Sequence, residues 1–293
     1  MTNESRALRS WLRESLVRSR PDLSQAQQDL LLCQHFSVSR TQLLVGESFL
    51  VSPALVSELI SKVGRLVAGE PLAYVLGKQG FHGVELVVDS RVLIPRPETE
   101  ILVESALQII AGLNTPDFTL IDVGIGSGAI LLSVLAALSK QDVNLDRVAA
   151  LGLDREFGAL EVASTNARLL ELDRFVTLIQ GDLLTCLSRL PRPNAPQLVL
   201  ANLPYLGADD QVQESVKLFE PASALWAEND GLALIFKLID ELRELGSSDC
   251  WLILEVGAVQ AAKVESYLIS AGYSSVRVIL DLLGVERFLE AKV

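Results

Sequence analysis

From residue 118 onward, short aliphatic runs alternate with segments whose apolar positions recur at helical spacing, and this alternation restricts the possible folds more than any other feature of the chain. The strand candidates are FTLIDVG (118–124), RVAALGLD (147–154), FVTLIQ (175–180), LVLAN (198–202) and CWLILEVG (250–257). Helix candidates at 127–139, 156–170, 230–245 and 258–271 lie between them. Strands that are apolar almost throughout must be covered on both faces, and helical crossovers supply that cover. The expectation is therefore an α/β, doubly wound, parallel sheet. Two closing runs, SSVRVIL and VERFLEA, are joined by DLLG and read as an antiparallel hairpin at the sheet edge. PRPNAP (191–196) reads as a stiff loop.

The preceding residues have a different texture. Leu8, Trp11, Leu12 and Leu16 share a helical face; Leu30, Leu31 and Leu32 follow, then Leu55, Val56, Leu59, Ile60 and Val63. Ser52 followed by Pro53 is a good helix start, a hydroxyl cap with proline in the first turn. Residues 1–70 are thus expected to form a small helical domain. At 71–97 short β-branched runs, VELVV and RVLI, are punctuated by Gly77, Gly80 and Gly83, which suggests a β-hairpin linker. Pro97 then opens a helix with Glu98 and Glu100 at the positive end of its dipole, and residues 98–293 form the sheet domain.

A chain with 49% hydrophobic and 21% charged residues is expected to be ordered. Its apolar runs, AILLSVLAAL and LALIFKLI, fall short of the roughly 20 residues that cross a bilayer, and its N-terminal stretch lacks the unbroken apolar core of a signal peptide. No membrane span and a cytoplasmic location are expected. Three scattered cysteines and two histidines offer no metal-ligand spacing. A net charge of −12 disfavours direct nucleic-acid binding but permits a basic protein partner.

LIDVGIGSGAI sets Gly124, Ile125, Gly126, Ser127 and Gly128 at the exit of the first sheet strand, where ligands of doubly wound folds bind and where glycines allow close approach to the backbone. The spacing also suits a dinucleotide. Asp154 and Asp182 end the next two strands, one placed to accept from ribose hydroxyls and the other from an adenine amino group. With Asp122 they would repel a pyrophosphate. A cofactor that is cationic at sulfur, S-adenosylmethionine, fits better. Helix capping or surface charge are the plainer roles for these carboxylates.

LVLANLPYLG (198–207) ends a strand in Asn202, Leu203, Pro204 and Tyr205. The Asn202 amide oxygen and the Leu203 carbonyl can together accept both hydrogens of a planar –NH2 group, while Pro204 stiffens the loop and Tyr205 offers a ring face. An ordinary strand-ending turn is the alternative. The motif resembles the Asn-Pro-Pro-Tyr signature of methyltransferases that act on planar nitrogens, with Leu203 in place of the first proline. Asn-Leu-Pro-Tyr also resembles ribosomal-RNA adenine dimethyltransferases, so an adenine amine in RNA or DNA stays open from this motif alone, as does a nucleotide-binding module without catalysis.

Residues 69–104 break the tie. Gly69-Glu70-Pro71, Tyr74, Leu76-Gly77, Phe81, Gly83 and Ile94 to Glu100 (IPRPETE) look like the linker of bacterial release-factor glutamine methyltransferases, and the resemblance runs on through FEPASAL (219–225), LILEVG (252–257) and the final hairpin. It implies a class I S-adenosylmethionine-dependent methyltransferase sheet behind a helical substrate-recognition domain, and N5-methylation of the glutamine in the Gly-Gly-Gln motif of class I release factors. Carried over, the cofactor residues are Gly124 to Gly128, Asp154, Asp182, Leu183 and Asn202, with Leu183 where relatives often carry an aromatic. The catalytic and substrate residues are Asn202, Leu203, Pro204 and Tyr205. Pro95 to Glu100 are either a lid or a rigid helix start. A monomer without metal is expected.

Overall fold

The computed structural model describes residues 3–189, 197–246 and 249–293; the PRPNAP loop lies outside them. The chain divides into two compact units, Met1–Lys78 with Gln213–Phe219, and Gln79–Val212 with Glu220–Val293.

The first unit contains α1 (Asn3–Leu16), α2 (Gln25–Phe36), α3 (Arg40–Val45), α4 (Pro53–Val67) and α5 (Leu72–Leu76), joined by α9 (Glu214–Phe219). Local chemistry defines the helix starts. Ser24 with Gln27 and Ser39 with Gln42 form reciprocal capping boxes, and Ser52 caps α4 ahead of Pro53. Leu12, Leu16, Leu31, Leu32, Leu43, Leu59, Val63 and Leu66 close a core of their own. Leu30 and Ile60, grouped with these by spacing, point outward instead.

In the linker region, β1 (Lys78–Phe81) and β2 (Val84–Val87) form a two-stranded hairpin. His82 and Gly83 turn it with φ of 42° and 76°, as a two-residue hairpin loop requires. RVLI (91–94) is not a strand. Asp89 draws the chain into a turn, accepting from the Arg91 N–H through its carboxylate and from the Val92 N–H through its carbonyl. Pro95 and Pro97 then remove the donors that a ladder would need.

The second unit is built on a seven-stranded sheet in the order β5-β4-β3-β6-β7-β9-β8. Its strands are β3 (Phe118–Val123), β4 (Val148–Asp154), β5 (Val176–Gln180), β6 (Gln197–Asn202), β7 (Cys250–Glu255), β8 (Ser274–Leu280) and β9 (Glu286–Lys292). The first five in that order run parallel, and β9 and β8 close the edge antiparallel. The expected architecture is present. Alternate residues serve opposite faces: Leu120, Leu198 and Leu200 pack with α6 (Glu100–Ala111), α7 (Ala129–Lys140) and α8 (Phe157–Leu169), whereas Ile121, Val199 and Ala201 pack with α10 (Ala233–Leu245) and α11 (Ala261–Ser270). Among the described residues no helix is long and apolar enough to cross a membrane.

The order reverses between β4-β3 and β6-β7, so β3 and β6 leave their carboxyl ends side by side. The pair Val123↔Ala201 fixes that register, and Asn202↔Glu255 sets β6 against β7. A doubly wound fold opens its ligand crevice at such a switch point.

Candidate active site

After β3 the chain must reverse into α7 within a few residues. Gly124, Gly126 and Gly128 take φ of 76°, 54° and 83°, a region that costs other residues about 1–2 kcal/mol each. Gly128, at the N-cap, has no side chain with which to cap α7. Asp122 on β3 does so from below, its Oδ2 accepting from the Leu131 N–H at 3.1 Å. Asp122 is wholly buried, its Oδ1 has no partner among the described residues, and burial pushes its carboxyl up to about 7. Asn166 of α8 anchors the loop to the hairpin. Its amide nitrogen donates to the carbonyls of Val87 and Ser127, and its oxygen accepts from the Val87 N–H.

Asp154, ending β4, accepts from the Gly126 N–H through Oδ2 and from the Glu156 N–H through Oδ1, both at 2.9 Å. Each oxygen keeps a lone pair for a ligand hydroxyl. Burial raises this carboxyl, and the two backbone bonds oppose it. The crevice in front is open to solvent at its mouth. Of the residues expected from sequence, Gly124, Ile125, Gly126, Ser127, Asp154, Asp182, Leu183, Asn202, Leu203 and Pro204 line it, together with Pro95, Arg96 and Thr99.

Gly128 and Tyr205 do not line it. Gly128 faces inward, where a Cβ would come within 2.7 Å of Leu132. Tyr205 points its hydroxyl at Glu255 Oε1, 3.5 Å away, and burial beside that carboxylate pushes its phenol up to about 12. Asp182 is half exposed and pairs with Lys237 of α10. The neighbouring Leu184 N–H is held by Glu241 Oε2 at 2.8 Å, and Leu183 takes φ of 48°.

The Asn202–Tyr205 loop is stapled from behind. Gln260 accepts from the Gly257 N–H and donates to the Tyr205 and Asp230 carbonyls, all at 2.8 Å. Leu203 turns its side chain into the core, 4% exposed, where a Cβ on Gly124 would lie 3.1 Å from its Cδ2. No described residue donates to the Leu203 carbonyl or to Asn202 Oδ1, so both acceptors are free.

Several of the side chains that build the site escaped sequence reasoning. Glu220, almost fully buried, accepts from the Ile94 N–H at 3.1 Å and from Arg96 Nη2 at 2.6 Å, so FEPASAL clamps IPRPETE. Thr99 donates to Glu255 Oε2 at 2.6 Å and accepts from Asn202 Nδ2 at 3.2 Å. Burial raises the Glu255 carboxyl to about 7, with Thr99 and Arg287 opposing that shift. The only available signal was that these residues sit inside segments already matched for other reasons.

The family model of the PrmC N-terminal domain matches residues 7–77. A release factor glutamine methyltransferase of Burkholderia pseudomallei is 36% identical over 263 residues, 88% of either chain, and one of Caulobacter vibrioides is 33% identical over 87% of this chain and 86% of that one. This chain belongs to the release factor glutamine methyltransferase family. Its fold is the class I S-adenosylmethionine-dependent methyltransferase sheet with an antiparallel edge hairpin, preceded in sequence by the family's helical N-terminal domain. Among solved structures, the N-terminal domain of human METTL16 in complex with SAH superposes with a TM-score of 0.54 at 15% identity, over 77% of this chain and 81% of that one. The human METTL16 catalytic domain in complex with an RNA hairpin gives 0.55 at 13% identity, over 84% and 83%. Similarity that distant speaks for the fold alone, so the hairpin in the second complex assigns no nucleic-acid substrate to this family member.

Proposed function

We infer that this protein transfers a methyl group from S-adenosylmethionine to the side-chain amide nitrogen of the glutamine in the Gly-Gly-Gln motif of class I translation release factors, acting as a cytoplasmic monomer. The observation that carries this is the pair of unoccupied acceptors, Asn202 Oδ1 and the Leu203 carbonyl, at the end of β6 beside the glycine loop. The family's activity supports the choice of glutamine over an adenine amine, since the pair by itself would suit either.

The crevice fits the cofactor. Gly124 to Ser127 bring backbone within reach of a ligand while Gly128 shapes the turn, Asp154 offers lone pairs to a ribose, and Asp182 and Leu183 border the far end. When bound, the cofactor supplies an electrophilic methyl carbon on a sulfonium. The protein's contribution is to present the nitrogen. An amide nitrogen is a poor nucleophile because its lone pair is delocalised. Accepting both of its hydrogens enriches that nitrogen as positive charge develops, so the two acceptors bind the transition state more tightly than the ground state. Pro204 limits the freedom of the loop, and Gln260 and Gly231 hold it from behind, which keeps the acceptors aligned without reorganisation. Residues 98–293 carry this chemistry. We assign the helical segment 1–70 to grip the release factor and the linker 71–97 to connect the two.

The test is to incubate the protein with methyl-labelled S-adenosylmethionine and a release factor carrying Gly-Gly-Gln, Gly-Gly-Ala in its place, or ribosomal RNA. Label confined to the Gly-Gly-Gln protein is expected. Label on the alanine variant, or on RNA alone, refutes the assignment.

A further inference from the structure

Thr99 lies between a buried carboxylate and the amide that faces the crevice. Its hydroxyl has one proton to give. That proton goes to Glu255 Oε2 at 2.6 Å, the shorter of its two bonds, so Thr99 can meet Asn202 only as an acceptor, and it takes a hydrogen from Nδ2 at 3.2 Å. A carboxamide has two different ends separated by a flip about one bond. Fixing the nitrogen toward Thr99 leaves the oxygen for the crevice, where no described residue occupies it.

We propose that Glu255 and Thr99 are positioning residues that set the orientation of the Asn202 carboxamide, so that its oxygen rather than its amino end meets the planar –NH2 group of the substrate. This rests on the methyl-transfer function assigned above. In the flipped state the substrate amine would face a donor, one acceptor would be lost, and the two sets of hydrogens would repel. Neither residue touches the reacting atoms; both act through Asn202.

The relay depends on the charge of Glu255. As a carboxylate it can only accept, and the chain of bonds runs from Asn202 to Thr99 to Glu255. A proton on Oε2 turns the carboxyl into a donor, frees the Thr99 hydroxyl to donate onward, and favours the flipped amide. The groups facing Glu255 are Thr99 and Glu98 from the turn before α6, the Tyr205 hydroxyl from the loop after β6, and Arg287 from β9, with Arg96 acting on Tyr205. Burial raises the carboxyl to about 7 and Glu98 adds to this, whereas Thr99, Arg287 and Tyr205 hold it down. The switch therefore falls near neutral pH.

The experiment compares the full-length wild type with Thr99→Val, Thr99→Ser and Glu255→Gln, measuring kcat and KM for the release factor against pH, cofactor affinity by calorimetry, and the Asn202 side-chain amide by nitrogen-15 NMR. Thr99→Val is expected to lower kcat on the order of a hundredfold, as misplacement of a catalytic contact does, with KM and cofactor affinity changed by less than about threefold. Thr99→Ser should restore kcat. Wild-type kcat should fall as pH drops through about 7, and the profile of Glu255→Gln should be flat there. One Asn202 amide proton should move upfield in Thr99→Val. Normal turnover in Thr99→Val, no recovery in Thr99→Ser, or a Glu255→Gln profile matching wild type overturns the relay. Should the wild type label no Gly-Gly-Gln protein, the assigned function fails and the amide resonance alone decides the relay: an unchanged Asn202 signal in Thr99→Val then refutes it. If Thr99→Val does not fold, the pH profile of Glu255→Gln decides the matter: a profile that matches the wild type overturns the relay.

Discussion

Replacing Asp122 with asparagine should change the stability of the unliganded protein in a pH-dependent way, by an amount that follows from where its two oxygens lie. One caps α7 through the Leu131 N–H, and the other has no partner among the described residues. Burial raises the carboxyl from 3.8 to about 7, the Leu131 bond opposes this, and the charge of Asp154 adds to it. A carboxyl raised in this way holds its proton more tightly folded than unfolded. Its contribution is therefore whole below pH 3.8 and is lost as pH rises to about 7. At about 1.4 kcal/mol per pH unit the full loss is about 4 kcal/mol. The substituted amide would keep the Leu131 bond through its oxygen and leave its –NH2 unpartnered, a cost of about 1–3 kcal/mol at every pH. Near pH 5.5 the wild type has lost roughly half of the full amount, so Asp122→Asn should be about as stable as the wild type. At pH 8 it should be more stable by about 1–3 kcal/mol. Urea unfolding followed by tryptophan fluorescence at the two pH values measures this. A stability difference that is the same at both would refute the account of Asp122 as a buried, ionisation-strained cap.

Three further outcomes test the site. Asn202→Ala should lower kcat on the order of a hundredfold by removing one transition-state acceptor, with cofactor affinity much less affected; normal turnover with collapsed affinity would make Asn202 a cofactor residue only. Glu220→Ala strips the partner from Arg96 and from the buried Ile94 N–H and should destabilise the protein by about 3 kcal/mol, whereas a urea midpoint shift worth under about 1 kcal/mol would mean that the clamp is incidental. Gly231→Ala would place a Cβ 1.8 Å from the Tyr205 carbonyl at a φ of 81°, so the Asn202–Tyr205 loop must move. A fall in kcat of at least about tenfold is expected, and unchanged kinetics in a folded variant would show that the loop position is not critical.

The sheet was legible because strands that are aliphatic on both faces have few ways to be buried, and helical segments of the right length lay between them. The glycine loop and the Asn202 loop were legible for a related reason: both are motifs at strand ends, and the doubly wound topology decides which ends meet. Local propensity failed where distant residues intervene. RVLI has the composition of a strand, but Asp89 turns the chain before it and Glu220, 126 residues away, takes the Ile94 N–H. Thr99 and Glu255 are 156 residues apart and carry no local signature of their connection. Gly128 and Tyr205 belong to the expected motifs but do not line the crevice, because a motif fixes a segment's position and not the direction of each side chain.

Leu203 shows why the last distinction matters for function. Where the family signature has proline, this chain has a residue whose backbone and side chain serve different partners. No described residue donates to the carbonyl, while the side chain packs close to Gly124, its Cδ2 3.1 Å from where a Cβ there would sit, and joins the core with Val123, Leu153 and Val199. Proline would supply the same carbonyl, so the change leaves the acceptor pair intact. What it alters is the contact between the two motifs. A branched side chain at 203 packs against the glycine that must turn at φ of 76°, so the glycine loop and the Asn202 loop are in close contact. A substitution at either position is therefore felt at both, and the methyl transfer proposed at Asn202 would inherit the rigidity of the glycine turn.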